Sequence, residues 1–234
     1  IYNGESKGDA FGNCLGVGDL NHDGTSDLVV TAYWSDASGF DGGRVYVYFG
    51  GSKPHQNADV ILDGRTSGDN FGCIAWASSD YSGDGIDDLL VAAFRNSTVG
   101  YQAGAVYGFR GGARMATTPD LTLLGEAASD RFGTSVCAGD LDNDGAAEVI
   151  VQASSVDFNG DDAGRVFIFR GGKQLDNVAD LVLSGKNKGD FFGITTLPVR
   201  DIGGGTPALL IGAHTSDTPQ KDAGQAYLYT FSSP

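Results

Sequence analysis

Apolar and polar positions along this chain fall into short bursts, and the bursts recur. The first copy runs through an apolar stretch at Gly12–Asp19. It continues with Asp27-Leu28-Val29-Val30-Thr31-Ala32-Tyr33, Arg44-Val45-Tyr46-Val47-Tyr48-Phe49 and Ala58-Asp59-Val60-Ile61-Leu62. Turn residues separate these bursts and none has a helical period, so four short β-strands are predicted per copy. Phe11-Gly12, Phe71-Gly72, Phe132-Gly133 and Phe192-Gly193 mark four copies at spacings of 60, 61 and 60 residues. Each pair follows an Asp two positions earlier (Asp9, Asp69, Asp130, Asp190). A fixed period of this length signals a solenoid, a propeller or another array.

The third strand of each copy narrows the choice. It sets Val45/Val47 against Tyr46/Tyr48, Val106/Gly108 against Tyr107/Phe109, Val166/Ile168 against Phe167/Phe169, and Ala226/Leu228 against Tyr227/Tyr229. One face is small or branched and the other aromatic, so both faces need cover. A sheet packed between copies of itself meets that need, as in the blade of a propeller. The expected fold is therefore all-β, one β-propeller domain over residues 1–234 with four-stranded antiparallel blades. Its repeats span approximately 6–64, 65–125, 126–185 and 186–234. The fourth repeat stops after its third strand, while Ile1-Tyr2-Asn3-Gly4-Glu5 aligns with Ile61-Leu62-Asp63-Gly64-Arg65. Residues 1–5 are thus expected to be the closing outer strand of the last blade.

Between the first two strands of a copy lies an acidic loop. Three loops share one pattern: Asp19, Asn21, Asp23, Thr25 and Asp27; Asp80, Ser82, Asp84, Ile86 and Asp88; Asp140, Asp142, Asp144, Ala146 and Glu148. Side-chain oxygens at positions 1, 3, 5 and 9, a Gly at 6 and a backbone carbonyl at 7 suit a hard cation that takes six to eight oxygens. Position 12 holds Val30, Val91 or Val151 where an EF-hand would need Glu. Ca2+ is expected at three sites, with Glu148 lengthening one arm of the third. The fourth loop, Asp201 to Leu209, lacks acids at positions 5 and 9 and is expected to hold none.

Phe-Gly, then D-x-[DNS]-x-D-G-x-x-[DE], then Thr31-Ala32-Tyr33 resemble the FG-GAP repeats of integrin α-subunit propellers. Similar repeats occur in bacterial surface proteins and in a glycosylphosphatidylinositol-specific phospholipase D. The resemblance covers essentially the whole chain, although the last element is degenerate (Ala92-Ala93-Phe94, Gln152-Ala153-Ser154, Gly212-Ala213-His214). It implies a propeller of four-stranded FG-GAP blades, four of them in this chain, with calcium in the loop joining strands one and two and a ligand-binding face at the opposite end. By position that face includes Tyr33, Trp34, Phe40, Phe94, Arg95, Tyr101, Phe158 and His214, with the connectors around Asp9, Asp69, Asp130 and Asp190. Such propellers usually have seven blades. Four blades fit a closed ring, half of an eight-bladed head-to-tail homodimer, or part of a longer ring.

Composition removes several functions. Thirty acidic residues against 15 basic ones give a net charge of −15, which disfavours nucleic acid and anionic lipid as partners. No apolar run is long enough to insert into a membrane, and a secreted or cell-surface location is expected. Cys14, Cys73 and Cys137 are odd in number and read as small buried thiols. Asn96-Ser97-Thr98 is a glycosylation sequon in a secreting eukaryote. Gly4-Glu5-Ser6-Lys7-Gly8 matches a nucleophile elbow but lies between strands with no helix to follow. His22, His55 and His214 occupy unrelated positions in their repeats. A non-enzymatic, calcium-stabilised adhesion module for a protein or carbohydrate ligand is the leading expectation. The alternative is a scaffold or catalytic propeller of a secreted hydrolase or polysaccharide lyase.

Overall fold

The computed structural model describes residues 1–51, 56–157, 159–217 and 220–231. It contains four antiparallel sheets, formed in chain order. The first holds β1 (Leu15–Gly18), β2 (Asp27–Ala32), β3 (Arg44–Tyr48) and β4 (Val60–Asp63). The second holds β5 (Ala75–Ser79), β6 (Asp88–Ala93), β7 (Ala105–Phe109) and β8 (Leu121–Leu124). The third holds β9 (Ser135–Gly139), β10 (Glu148–Ala153), β11 (Arg165–Phe169) and β12 (Leu181–Ser184). The fourth has β13 (Thr195–Val199), β14 (Ala208–Ala213) and β15 (Gln225–Thr230). A 3-10 turn at Gly172–Gln174 is the one helical element among the described residues.

Strands pair only with their chain neighbours, and β1, β5, β9 and β13 touch in that order. The cores lie between sheets. Val45 and Val47 of the first sheet share a cluster with Tyr107 and Phe109 of the second. Val166 and Ile168 of the third share one with Tyr227 and Tyr229 of the fourth. Bulky face meets small face at each junction, as the alternation in the third strands requires.

The Phe-Gly pair closes each unit. Gly12, Gly72, Gly133 and Gly193 have φ between 87° and 90°, a region that favours glycine. Their N–H groups donate to Thr31, Ala92, Gln152 and Gly212 at 2.8–2.9 Å. The preceding Phe turns edge-on to the aromatic strand of its own sheet, with Phe132 5.4 Å from Phe167 and Phe192 5.3 Å from Tyr227. The 61-residue spacing has a local cause. Pairing between β5 and β6 shifts register between Trp76 and Ser79, and that bulge absorbs the extra residue before the second acidic loop.

One expectation needs correction. Among the described residues the fourth sheet has three strands, and residues 1–5 do not complete it. They lie instead on the aromatic face of the first sheet, where Tyr2 stacks 4.5 Å from Tyr48 and Glu5 pairs with Arg44 at 2.8 Å.

Candidate metal centre

Each acidic loop folds around its own first carboxylate. Asp19 accepts N–H groups of Asp23 and Gly24 at 3.0 and 2.9 Å. Asp80 accepts those of Gly83, Asp84 and Gly85. The Gly at position 6 has φ of 82°, 90° and 95° in Gly24, Gly85 and Gly145, so the turn requires it. At position 5, Asp23, Asp84 and Asp144 accept the N–H of Thr25, Ile86 and Ala146 at 2.8, 3.0 and 2.8 Å. This turn leaves the side chain at position 7 free to vary.

Position 9 has a role that the motif does not announce. Asp27 is buried and accepts N–H groups from Leu20 (2.8 Å), Asn21 (3.2 Å) and Gly50 (2.8 Å). Asp88 likewise takes Ser82 at 2.9 Å and Gly111 at 3.0 Å. These carboxylates tie the acidic loop to the end of the third strand. In the third loop Glu148 accepts Leu141 N–H at 2.6 Å through Oε2. The Gly171 N–H also favours the ionised form of Glu148. Glu148 Oε1 is buried without a partner at normal hydrogen-bond geometry, as is Asp140 Oδ1.

Orphaned buried carboxylate oxygens are costly unless a cation or a proton meets them. Burial pushes Asp27 up, Asp88 up to about 6 and Glu148 up to about 7. Asp140, Asp142 and Glu148 bring one oxygen each to within 4.8 Å of one another, the only such acidic group among the described residues. The third loop thus fits a cation, whereas the acids of the first two loops do not converge to that distance. The fourth loop bonds its own Asp201 to Gly203 and Gly205 N–H.

Each loop is also gripped by the following sheet. Leu20 and Tyr81 carbonyls accept N–H from Gly112 and Gly172, both at 2.7 Å. Asp19 N–H donates to Asp87 at 2.9 Å, and Ala147 N–H to the Asp80 carbonyl at 2.8 Å.

The acidic loops enter β2 and β6 at one end, and the residues expected to bind a ligand leave those strands at the other. Phe40, Arg95 and Tyr101 meet in a groove of about 420 Å³ that also includes Asp41, Ser67, Asp69 and Gln102. Phe40 is 72% and Tyr101 71% exposed. Trp34 is half-exposed and stacks on Tyr33 at 4.8 Å, outside the groove. Phe94 and Tyr33 pack against the core between the second and third sheets. His214 sits 5.7 Å from Phe191 on the fourth sheet's side. Phe158 and His55 lie outside the described residues. Two of the Asp residues before Phe-Gly fasten their own turns, Asp130 accepting Ala127 N–H and Asp190 accepting Asn187 N–H, whereas Asp69 accepts the Asn96 side chain.

Sequence reasoning had no signal for the fate of the sequon. Asn96 is 2% exposed, and its Nδ2 donates to Asp69 at 2.8 Å and to the Tyr107 hydroxyl at 3.3 Å. The folded protein therefore does not present it for glycosylation. Cys73 and Cys137 are buried, Cys14 is half-buried, and all three are free thiols.

Comparison with known proteins agrees with the geometry. Residues 11–48 match the FG-GAP repeat model and residues 80–151 the FG-GAP-like repeat model. Integrin alpha-5 of Xenopus laevis is 31% identical over 229 residues, covering 89% of this chain and 20% of the integrin. Integrin alpha-6 of Homo sapiens is 31% identical over 157 residues, 66% of this chain and 13% of the integrin. Phosphatidylinositol-glycan-specific phospholipase D of Rattus norvegicus is 30% identical over 172 residues, 68% of this chain and 20% of the enzyme. The chain spans about a fifth or less of the length of these relatives. With Phe-Gly and an acidic loop at matching places in successive all-β units, this is a protein built of FG-GAP repeats.

Proposed function

We propose that this chain is a calcium-dependent, propeller-type binding module that works outside the cell or at its surface. The observation that carries the metal is the pair of orphaned oxygens, Asp140 Oδ1 and Glu148 Oε1, inside a loop pattern that occurs three times. A bound Ca2+ would neutralise each acid cluster and fix the loop against the next sheet. Asp19, Asn21 and Asp23, then Asp80, Ser82 and Asp84, then Asp140, Asp142 and Asp144 would supply side-chain oxygens. Thr25, Ile86 and Ala146 would supply carbonyls, and Asp27, Asp88 and Glu148 would close each shell. The groove flanked by Phe40 and Tyr101, at the far end of the same strands, is the ligand site in this reading. Two exposed aromatics around Asp41, Arg95 and Gln102 suit a carbohydrate or a protein loop.

In this reading the chain binds and does not catalyse. Calorimetric titration should give about three calcium ions per chain, as the loop pattern implies. Binding to a glycan and matrix-protein array, repeated in chelator and with Tyr101→Ala, tests the groove. A stoichiometry of zero would refute the metal reading. Array hits indifferent to Tyr101→Ala would refute the groove.

A further inference from the structure

The third acidic loop carries one acid more than the other two. At positions 1, 3, 5 and 9 the first loop has Asp19, Asn21, Asp23 and Asp27, and the second has Asp80, Ser82, Asp84 and Asp88. The third has Asp140, Asp142, Asp144 and Glu148, so Asp142 stands where its counterparts are neutral. Crowded carboxylates repel one another. An added one makes the empty loop less stable and the filled loop tighter.

The structure sets a cation against that extra acid. Asp142 Oδ1 turns into the loop and accepts the Asp144 N–H at 3.2 Å. Asp142 Oδ2 faces the Arg170 guanidinium, with Nε at 3.5 Å. Arg170 directly follows β11, and the same place after β3 and β7 holds Phe49 and Arg110. Arg110 pairs with Asp120 at 2.5 Å, and Asp120 also accepts the Tyr81 hydroxyl. In the third sheet Leu141 replaces Tyr81 and offers no hydroxyl. There Asp180, the counterpart of Asp120, accepts the backbone N–H of Arg170 at 2.7 Å. The Arg170 side chain turns to the loop instead. The extra acid and the guanidinium beside it thus occur in the same loop.

We propose that Arg170 sets the calcium affinity of the third loop: its charge offsets the fourth carboxylate, and the loop binds as a three-acid site. This rests on the metal reading given above. A competing role, holding Asp142 in place for the ion, would make Arg170 strengthen binding. The contact argues against it. At 3.5 Å and half-exposed, the guanidinium makes an ion pair without the short, directed hydrogen bond that fixes a ligand. What remains is its charge, screened by water and salt, so the effect is severalfold.

Asp23→Ala with Asp84→Ala leaves the third loop as the calcium site, and circular dichroism checks that this parent is folded. Calorimetric titration at pH 8 should give one ion, bound about three- to tenfold more tightly after Arg170→Gln. Arg170→Lys keeps the charge and should keep the affinity. Asp142→Asn with Arg170→Gln reproduces the acid count of the first loop and should bind about as the parent does. In chelator the order reverses, and Arg170→Gln should melt below the parent because four acids lose their counter-charge. In the full chain the same substitution should separate one tighter ion from two unchanged ones. Equal or weaker binding by Arg170→Gln, or a double variant far below its parent, would overturn the proposal and leave the calcium reading standing. A folded parent and a full chain that both bind no calcium would overturn the two together.

Discussion

Asp23 and Asp27 belong to the same acidic loop but face different partners. Asp23 is exposed and bonds only within its loop, whereas Asp27 is buried under three backbone N–H groups. Asp23→Ala should therefore remove one calcium ion without changing the melting temperature in chelator. Asp27→Ala should remove the ion and also cost about 2–4 kcal/mol in chelator, because buried donors lose their acceptor. Equal melting temperatures for the two variants in chelator would contradict this division. Burial gives a second expectation for the calcium-stripped protein. Folded Glu148 holds its proton up to about pH 7 against a usual 4.5, and Asp88 up to about 6 against 3.8. Between those values the folded state binds more protons, so stability is greatest at acid pH and falls as pH rises through the window. Thermal melts of stripped protein should give a higher midpoint at pH 5 than at pH 8. Calcium should invert that order, since it competes with those protons.

At the scale of the element, one substitution pattern ties a loop to a sheet. The residue after the first acid is Leu20, Tyr81, Leu141 or Ile202, and the matching strand position is Val47, Gly108, Ile168 or Leu228. Tyr81 is fully buried and its hydroxyl donates to Asp120 at 2.7 Å. A Cβ on Gly108 would lie 2.6 Å from that hydroxyl oxygen. The large ring and the missing side chain are one adjustment. Gly108→Val should cost about 1–3 kcal/mol by overpacking, and Tyr81→Leu in the same chain should recover much of it. Additive effects in denaturant melts would deny the coupling. Strand positions and their two faces were legible in the sequence, because alternation and the Phe-Gly period are local signals. The reason for Gly108 was not, because Tyr81 lies 27 residues away in the chain. The acidic loops were legible as three copies of one pattern, because their acids and glycines recur at fixed spacing. The bonds that Gly50 and Gly111 N–H donate to Asp27 and Asp88 close the β2–β3 and β6–β7 hairpins 23 residues apart, a spacing that no loop motif marks. The likeness of Ile1–Glu5 to an outer strand was also visible; the sheet it sits against was decided by packing on Tyr48 and Arg44.

At the scale of the whole molecule, cores lie between sheets, so no sheet buries its own faces alone. Acidic loops attached across those junctions should transmit metal binding to packing. Removing calcium should lower the melting temperature of the entire chain in one transition, because ions bind only the folded loops. An unchanged midpoint, or a separate early transition confined to loop probes, would show that loops and junctions are independent.

The grip of each sheet on the preceding acidic loop runs one way. Gly112 and Asp87 hold the first loop from the second sheet, Gly172 and Ala147 hold the second from the third, and Asn143 of the third reaches the Gly205 carbonyl of the fourth. The molecule therefore has a polarity that its repeat sequence hides. Loss of order starting at the fourth sheet would release the loops one after another towards the N-terminus. Loss starting at the first sheet would leave every remaining loop still held.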